Sequence, residues 1–312
     1  MMDHRERVLT ALNREVPDRC PMQISFTPEF ADRLRADMQL GGGAGEHNPH
    51  GGGNTYELER ALRQDMLLTS VGWANSYYQD ADAYTDEWGV GWRRAEYETP
   101  FGNGHYTEIV GFPLADDAAV TAYQPPDPHR PELYTEAERV LATYKDEYFI
   151  VGVTVTTIFE TAWALRGLEQ MMMDFVENPD LAETILDFPY RYHLTAAKKL
   201  VELGVDMIWT GDDIGAQDRM IISPRHWRKF FKPRMANFIA ELKAINPGLK
   251  VAYHSDGNIM KIIPDLIEIG IDVLNPIQPA SMDPAEIKTQ FGDQLCFWGR
   301  IDEQHTLPFG TP

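Results

Sequence analysis

Glu202-Leu-Gly-Val-Asp-Met-Ile208 returns 66 residues later as Glu268-Ile-Gly-Ile-Asp-Val-Leu274, and few folds use one phrase twice in this way. In both copies a helix closes on a glycine, Gly204 or Gly270, suited to the left-handed closing turn. A short apolar run follows, of the length of a buried parallel strand. A third run of this kind, Leu249-Lys-Val-Ala-Tyr-His254, comes after the helix-stopping Asn246-Pro247-Gly248. All three finish in polar residues: Thr210-Gly-Asp-Asp213, His254-Ser-Asp-Gly257 and Asn275-Pro-Ile-Gln278. Repeated βα units with chemistry gathered after the strands predict an α/β protein, a (β/α)8 TIM barrel whose active face lies at the strand ends.

Strands are predicted at 20–26, 65–71, 148–154, 205–210, 249–254, 271–275 and 294–298, behind a lead-in helix over 3–13. A closed barrel has eight, so the last βα unit is expected to be missing from the chain. Its 312 residues suit one barrel better than two domains. Two segments depart from the regular pattern. Residues 40–54 carry Gly41 to Gly43, Gly45 and Gly51 to Gly53 with His47 and His50, and read as a mobile loop. From about 84 to 128 the chain makes an aromatic, turn-rich excursion, with Asp86-Glu-Trp-Gly-Val-Gly-Trp92 suggesting a hairpin.

The formal charge is −20, from 48 acidic against 28 basic residues, and no Lys/Arg run occurs, which argues against nucleic acid and anionic membranes as partners. Small molecules or other proteins are expected instead. No apolar stretch approaches the ~20 residues of a membrane span, and Met1-Met-Asp-His-Arg-Glu-Arg7 lacks a signal-peptide core, so a cytoplasmic protein is expected. Cys20 and Cys296 both border predicted strands and read as reduced core residues.

Six segments carry a family resemblance: Arg5-Glu-Arg-Val-Leu-Thr-Ala-Leu-Asn13 with Pro17-Asp-Arg19; Asp86-Glu-Trp-Gly89; Phe159-Glu160 with Leu165-Arg-Gly167; Asp212-Asp-Ile-Gly215 with Ile222-Ser-Pro224; His254-Ser-Asp-Gly-Asn258; and Phe297-Trp-Gly299. Together they resemble the uroporphyrinogen decarboxylase and cobamide-dependent methyltransferase superfamily, which implies a (β/α)8 barrel. True decarboxylases of that family carry an arginine-rich segment at the first strand, where this chain has Met22-Gln-Ile-Ser-Phe-Thr-Pro28. A porphyrinogen with eight carboxylates calls for cationic forks at the mouth, and here the mouth offers Asp212, Asp213, Asp256 and Asp302. Arg166, Arg219 and Arg300 compensate only in part.

The methyltransferase branch uses a His-x-Cys pair and a later cysteine to hold zinc, and the chain is similar at His254-Ser-Asp256. Alternation puts Ala252, His254 and Asp256 on one face of the strand, so His254 and Asp256 are the expected metal ligands, with Glu160 or Asp213 as a third. Nitrogen plus carboxylate suits zinc, iron or manganese. Asp213 and Glu160 are the expected catalytic carboxylates; Asp212, Gln278 and Arg300 are the expected substrate contacts. Plainer roles compete: a strand cap for His254, an Asx turn for Asp256, a helix cap for Glu160. What the resemblance implies is metal-assisted methyl transfer between a small substrate or thiol and a corrinoid supplied by a partner protein, with a homodimer by analogy. A cofactor-free decarboxylase and a non-catalytic tetrapyrrole or metabolite binder are the alternatives. Trp73, Tyr77 and Tyr78 are candidates to line a pocket for a flat ligand, with surface packing as the competing role.

Overall fold

The computed structural model describes residues 2–40, 55–71, 81–99 and 102–311. His47, His50, Trp73, Tyr77, Tyr78 and the expected glycine loop from Gly41 on lie outside them. The strands are β1 (Met66–Ser70), β2 (Ala83–Thr85), β3 (Gly91–Thr99), β4 (Gly102–Gly111), β5 (Phe149–Val153), β6 (Met207–Gly211), β7 (Lys250–His254), β8 (Val273–Asn275) and β9 (Cys296–Phe297). Six of them form one parallel sheet in the order β1-β5-β6-β7-β8-β9, as successive βα units require. The excursion is more than a hairpin: β2, β3 and β4 make a separate antiparallel sheet. At its entry the buried Asp86 carboxylate accepts the backbone N–H of Trp88 and Val90 and the indole N–H of Trp92, which closes the turn.

The strand expected at 20–26 is a correction. Among the described residues that segment joins no ladder, and Gln64 and Asp65 take backbone groups that a ladder would use. Gln64 brackets Ile24, accepting its N–H at 2.9 Å and donating to its carbonyl at 3.0 Å. The Asp65 carboxylate accepts the Met22 N–H at 2.8 Å while the Asp65 N–H donates back to the Met22 carbonyl at 2.7 Å. Among the described residues β1 and β9 are therefore the edges of the sheet.

Alternation divides the sheet into two apolar faces. Leu67, Ile150, Ile208, Val251, Tyr253 and Leu274 pack outward against the helices. Met66, Leu68, Phe149, Val151, Val153, Met207, Trp209, Ala252 and Val273 form the inner face, joined by Val8 from the helix His4–Leu12. Between β9 and the 20–24 segment that face opens into a mostly apolar cavity of about 690 Å³, touching Met22, Met66, Met207, Val273 and Cys296. Those four strand residues each begin a strand, so the cavity sits mainly at the opposite end from the polar strand ends. No helix among the described residues is long and apolar enough to cross a membrane.

Asp65 ties the lead-in segments to β1. Its fully buried carboxylate meets Arg7 at 2.7 Å, Arg19 at 2.7 Å and His4 at 2.8 Å. Burial alone would raise its pKa, but the Arg19 guanidinium, the Met22 N–H, His4 and Arg7 outweigh it and hold the carboxyl below the usual range. Asp65→Asn leaves the buried Arg7 with Asp18 as its remaining acidic partner and removes the carboxylate shared by Arg7, Arg19 and His4, and should cost about 2 kcal/mol in urea unfolding at neutral pH. Because the folded pKa is depressed, that contribution is complete above the ordinary carboxylate pKa and lost as pH falls through the folded value, so the two proteins should converge in acid.

Candidate metal centre at the strand ends

β6 and β7 run side by side with Gly211 opposite His254. A side chain at Gly211 would place its Cβ 2.2 Å from the His254 carbonyl oxygen, and φ there is +124°, so glycine is required. The strand ends are crossed just beyond in the same manner. A Cβ on Gly257 would lie 2.3 Å from the Gly215 carbonyl carbon, one on Gly215 would lie 2.5 Å from the Asp256 carbonyl oxygen, and Asn258 N–H donates to Ala216 at 2.7 Å.

Beyond Gly211 the alternation sends the two neighbouring carboxylates apart. Asp212 turns outward and is 3 % exposed. Its oxygens accept the backbone N–H of Ile158 at 3.0 and 3.1 Å and of Glu160 at 3.1 Å, at the start of the helix Phe159–Arg166. Burial pushes its pKa up to about 6 against the pull of those amides. Asp212, expected to touch substrate, is thus spent on positioning the helix that carries Glu160. Asp213 turns inward, on the face of Trp209.

Asp213, His254 and Asp256 each bring one ligand atom within 4.8 Å of the others. Asp213 Oδ1 lies 3.4 Å from His254 Nε2 and accepts the Asp256 N–H at 2.8 Å. The Asp213 N–H donates to Glu160 Oε2 at 3.0 Å. His254 Nδ1 lies 2.7 Å from Asn275 Oδ1, and its ring stands edge-on to Trp209 with centroids 5.4 Å apart. Ser255 fixes the loop from below, accepting the Ile214 N–H and donating to the Asp256 carbonyl.

This end of the sheet concentrates negative charge. Burial first, then repulsion by Asp213 and Asp212, raises the Glu160 carboxyl well above its ordinary range. Burial and repulsion by Asp213 raise Asp256 as well. Two carboxylates and an imidazole converging where like charges already repel are a fit for a divalent cation, which would relieve that repulsion. The donor set suits zinc, iron or manganese.

Other expected residues stand apart from the three ligand atoms. Gln278 Oε1 accepts the Gly257 N–H at 2.8 Å, which places the amide beside the β7 loop. Arg300 is exposed beyond β9, its guanidinium 5.8 Å from the centre of the Phe297 ring, and no contact among the described residues joins it to Asp213, His254 or Asp256. Arg166 is buried in an ion pair with Asp174 at 2.8 Å and bonds Asp117 as well, so it is no cation at the mouth. Arg219 is exposed beside Asp218. The residue that sequence reasoning missed is Asn275: it was legible as a polar strand end, but its contact with His254 depends on the β7–β8 register.

A family model described as uroporphyrinogen decarboxylase (URO-D) matches residues 100–312. Over 143 residues, 46 % of this chain and 40 % of the relative, the chain is 27 % identical to the methylcobamide:CoM methyltransferase MtaA of Methanosarcina barkeri. It is 26 % identical over 143 residues to the MtaA of Methanosarcina barkeri strain Fusaro / DSM 804, again 40 % of that protein's length. The solved structure of a methyltransferase from Methanosarcina mazei matches 98 % of this chain and 85 % of its own, with a TM-score of 0.67 at 18 % identity, a likeness of fold.

A carboxyl whose pKa is raised by folding binds its proton more tightly in the folded state, so stability falls as pH rises above the unfolded value, about 4.3 for Glu. In the metal-free protein Glu160→Gln should therefore raise the melting temperature at neutral pH and change it least near pH 4. The fall in stability between those limits should become shallower, since Asp256 and Asp212 still contribute.

Proposed function

Because the chain belongs to the uroporphyrinogen decarboxylase family, we propose that it is a metal-assisted methyltransferase of that family, moving a methyl group between a small substrate or thiol and a corrinoid carried by a partner protein. The observation that carries this reading is the convergence of Asp213, His254 and Asp256 at the inner ends of β6 and β7. The partial identity to MtaA, a methylcobamide:CoM methyltransferase by name, supports the reaction class. The architecture is read as a (β/α)8 barrel, of which six parallel strands are described.

His254, Asp213 and Asp256 would hold the ion, zinc first among candidates. When bound, it would supply Lewis-acid chemistry, lowering the pKa of a thiol or polarising a leaving group. The chain's own residues set the conditions for that chemistry. The Asp256 N–H holds Asp213 Oδ1 in place, and Trp209 walls the inner side of His254. Glu160, its carboxyl raised above the ordinary range mainly by burial and anchored through Oε2 to the Asp213 N–H, would serve as the general acid toward a leaving group. Asp212 supports it from behind by holding the first turn of its helix. Gln278 gives its oxygen to Gly257, which leaves its NH₂ end for a substrate acceptor.

Decarboxylation of a porphyrinogen fits these residues less well. Glu160, Asp212, Asp213 and Asp256 crowd one end of the sheet, and the buried Arg166 cannot offset them for a polyanionic substrate. Elemental analysis of protein purified without added metal is the first test: about one zinc or iron per chain is expected in the wild type, with loss in His254→Ala and Asp213→Ala. No stoichiometric metal in the wild type sinks the proposal and shifts the weight to decarboxylation or binding. Glu160→Gln should keep its metal while methyl transfer from a methoxy- or methylamine-type donor to a Co(I) corrinoid, whose departing oxygen or nitrogen takes the proton, falls by about 10²–10⁴-fold, followed by formation of the methylated corrinoid.

A further inference from the structure

We infer that Asn275 is the positioning residue that turns the Nε2 lone pair of His254 toward the carboxylates, an inference that rests on the metal reading of the same residues. β7 and β8 pair in parallel with His254 opposite Asn275, so both side chains leave the inner face side by side. Asn275 is 6 % exposed, and both ends of its amide are engaged. Nδ2 donates to the Trp298 carbonyl at 2.9 Å, and Oδ1 lies 2.7 Å from His254 Nδ1. A backbone carbonyl can only accept, so Trp298 decides which end of the amide is the NH₂; a flipped amide would set two oxygens against each other. The oxygen end faces His254, and it too can only accept. Nδ1 therefore carries the hydrogen of the neutral ring, and the lone pair falls on Nε2, 3.4 Å from Asp213 Oδ1.

The opposite tautomer would press the Nδ1 lone pair against the amide oxygen and spend an Nε2–H on Asp213. That would withdraw the nitrogen from the position where the three ligand atoms converge. Because the amide is buried, water cannot readily replace it as the partner of Nδ1. Asn275 thus touches no reacting atom and acts through His254. Partners of this kind orient metal-binding imidazoles widely, and their loss typically weakens metal affinity by about 10- to 100-fold.

The ¹⁵N NMR signature of His254 in the metal-free chain, at a pH above the imidazole range, reads the tautomer directly. The wild type is expected to show a protonated Nδ1 and a bare Nε2. Asn275→Leu should lose that preference and bind zinc about 10- to 100-fold more weakly in competition with a chromogenic chelator. An Nε2–H ring in the wild type overturns the inference, and that measurement needs no variant to fold. So does a folded Asn275→Leu with unchanged tautomer and unchanged affinity. A wild-type chain that shows the Nδ1–H signature yet takes up no zinc overturns the metal reading and leaves the orientation by Asn275 standing.

Discussion

Two carboxylates in sequence at the end of a buried strand cannot both enter the same low-dielectric space, and the separation of Asp212 from Asp213 is the constraint on which the site depends. The strand's alternation supplies the separation, and Gly211 permits it by letting β6 pass tight against the backbone of His254. Once divided, the two groups do different work. The outward carboxylate finds backbone amides at a helix start, where negative charge is favoured. The inward one meets the histidine of the next strand. Glu160 joins the two arrangements, with its backbone N–H on Asp212 and its carboxylate on the N–H of Asp213. One side chain is thereby placed by a pair of neighbours pointing in opposite directions.

Most of the sheet was legible because the βα joint repeats. Apolar runs of strand length after Gly204, Pro247-Gly248 and Gly270 give β6, β7 and β8 within about two residues, and β1, β5 and β9 follow the same pattern. The segment 20–26 misled because its apolar spacing is that of a strand, whereas its backbone partners are the side chains of Gln64 and Asp65. Nothing local to 20–26 signals that. At the strand ends, alternation was enough to place His254 with Asp256. Asn275 was not legible in the same way: a histidine's partner on a neighbouring strand is set by register, and register is a property of two strands rather than of either sequence. Arg166 shows the converse error. An arginine in a family-like motif reads as a ligand for anions until its burial against Asp174 is seen.

The site also differs from the buried ion pairs described above. Buried charge is matched by cations at Asp65, with Arg7 and Arg19, and at Asp174, with Arg166. At the ends of β6 and β7 acids gather around a single histidine, with backbone amides rather than cations as their nearest relief. Such local conflict between like charges is where functional sites are expected in an otherwise consistent structure.

The crossing of Gly215 over Gly257 has a bearing on which ion such a site could prefer. With no side chain on either residue, the loops after β6 and β7 pack backbone to backbone, and Asn258 bonds across them to Ala216. The two aspartates that flank His254 belong to these two loops, so they cannot separate without opening that packed contact. Calcium is served by yielding cages of many oxygens, and zinc by four ligands at shorter range. Were these carboxylates to hold an ion, a pair fixed by glycine packing would discriminate by the stiffness of its mounting, before any difference in ligand chemistry is counted.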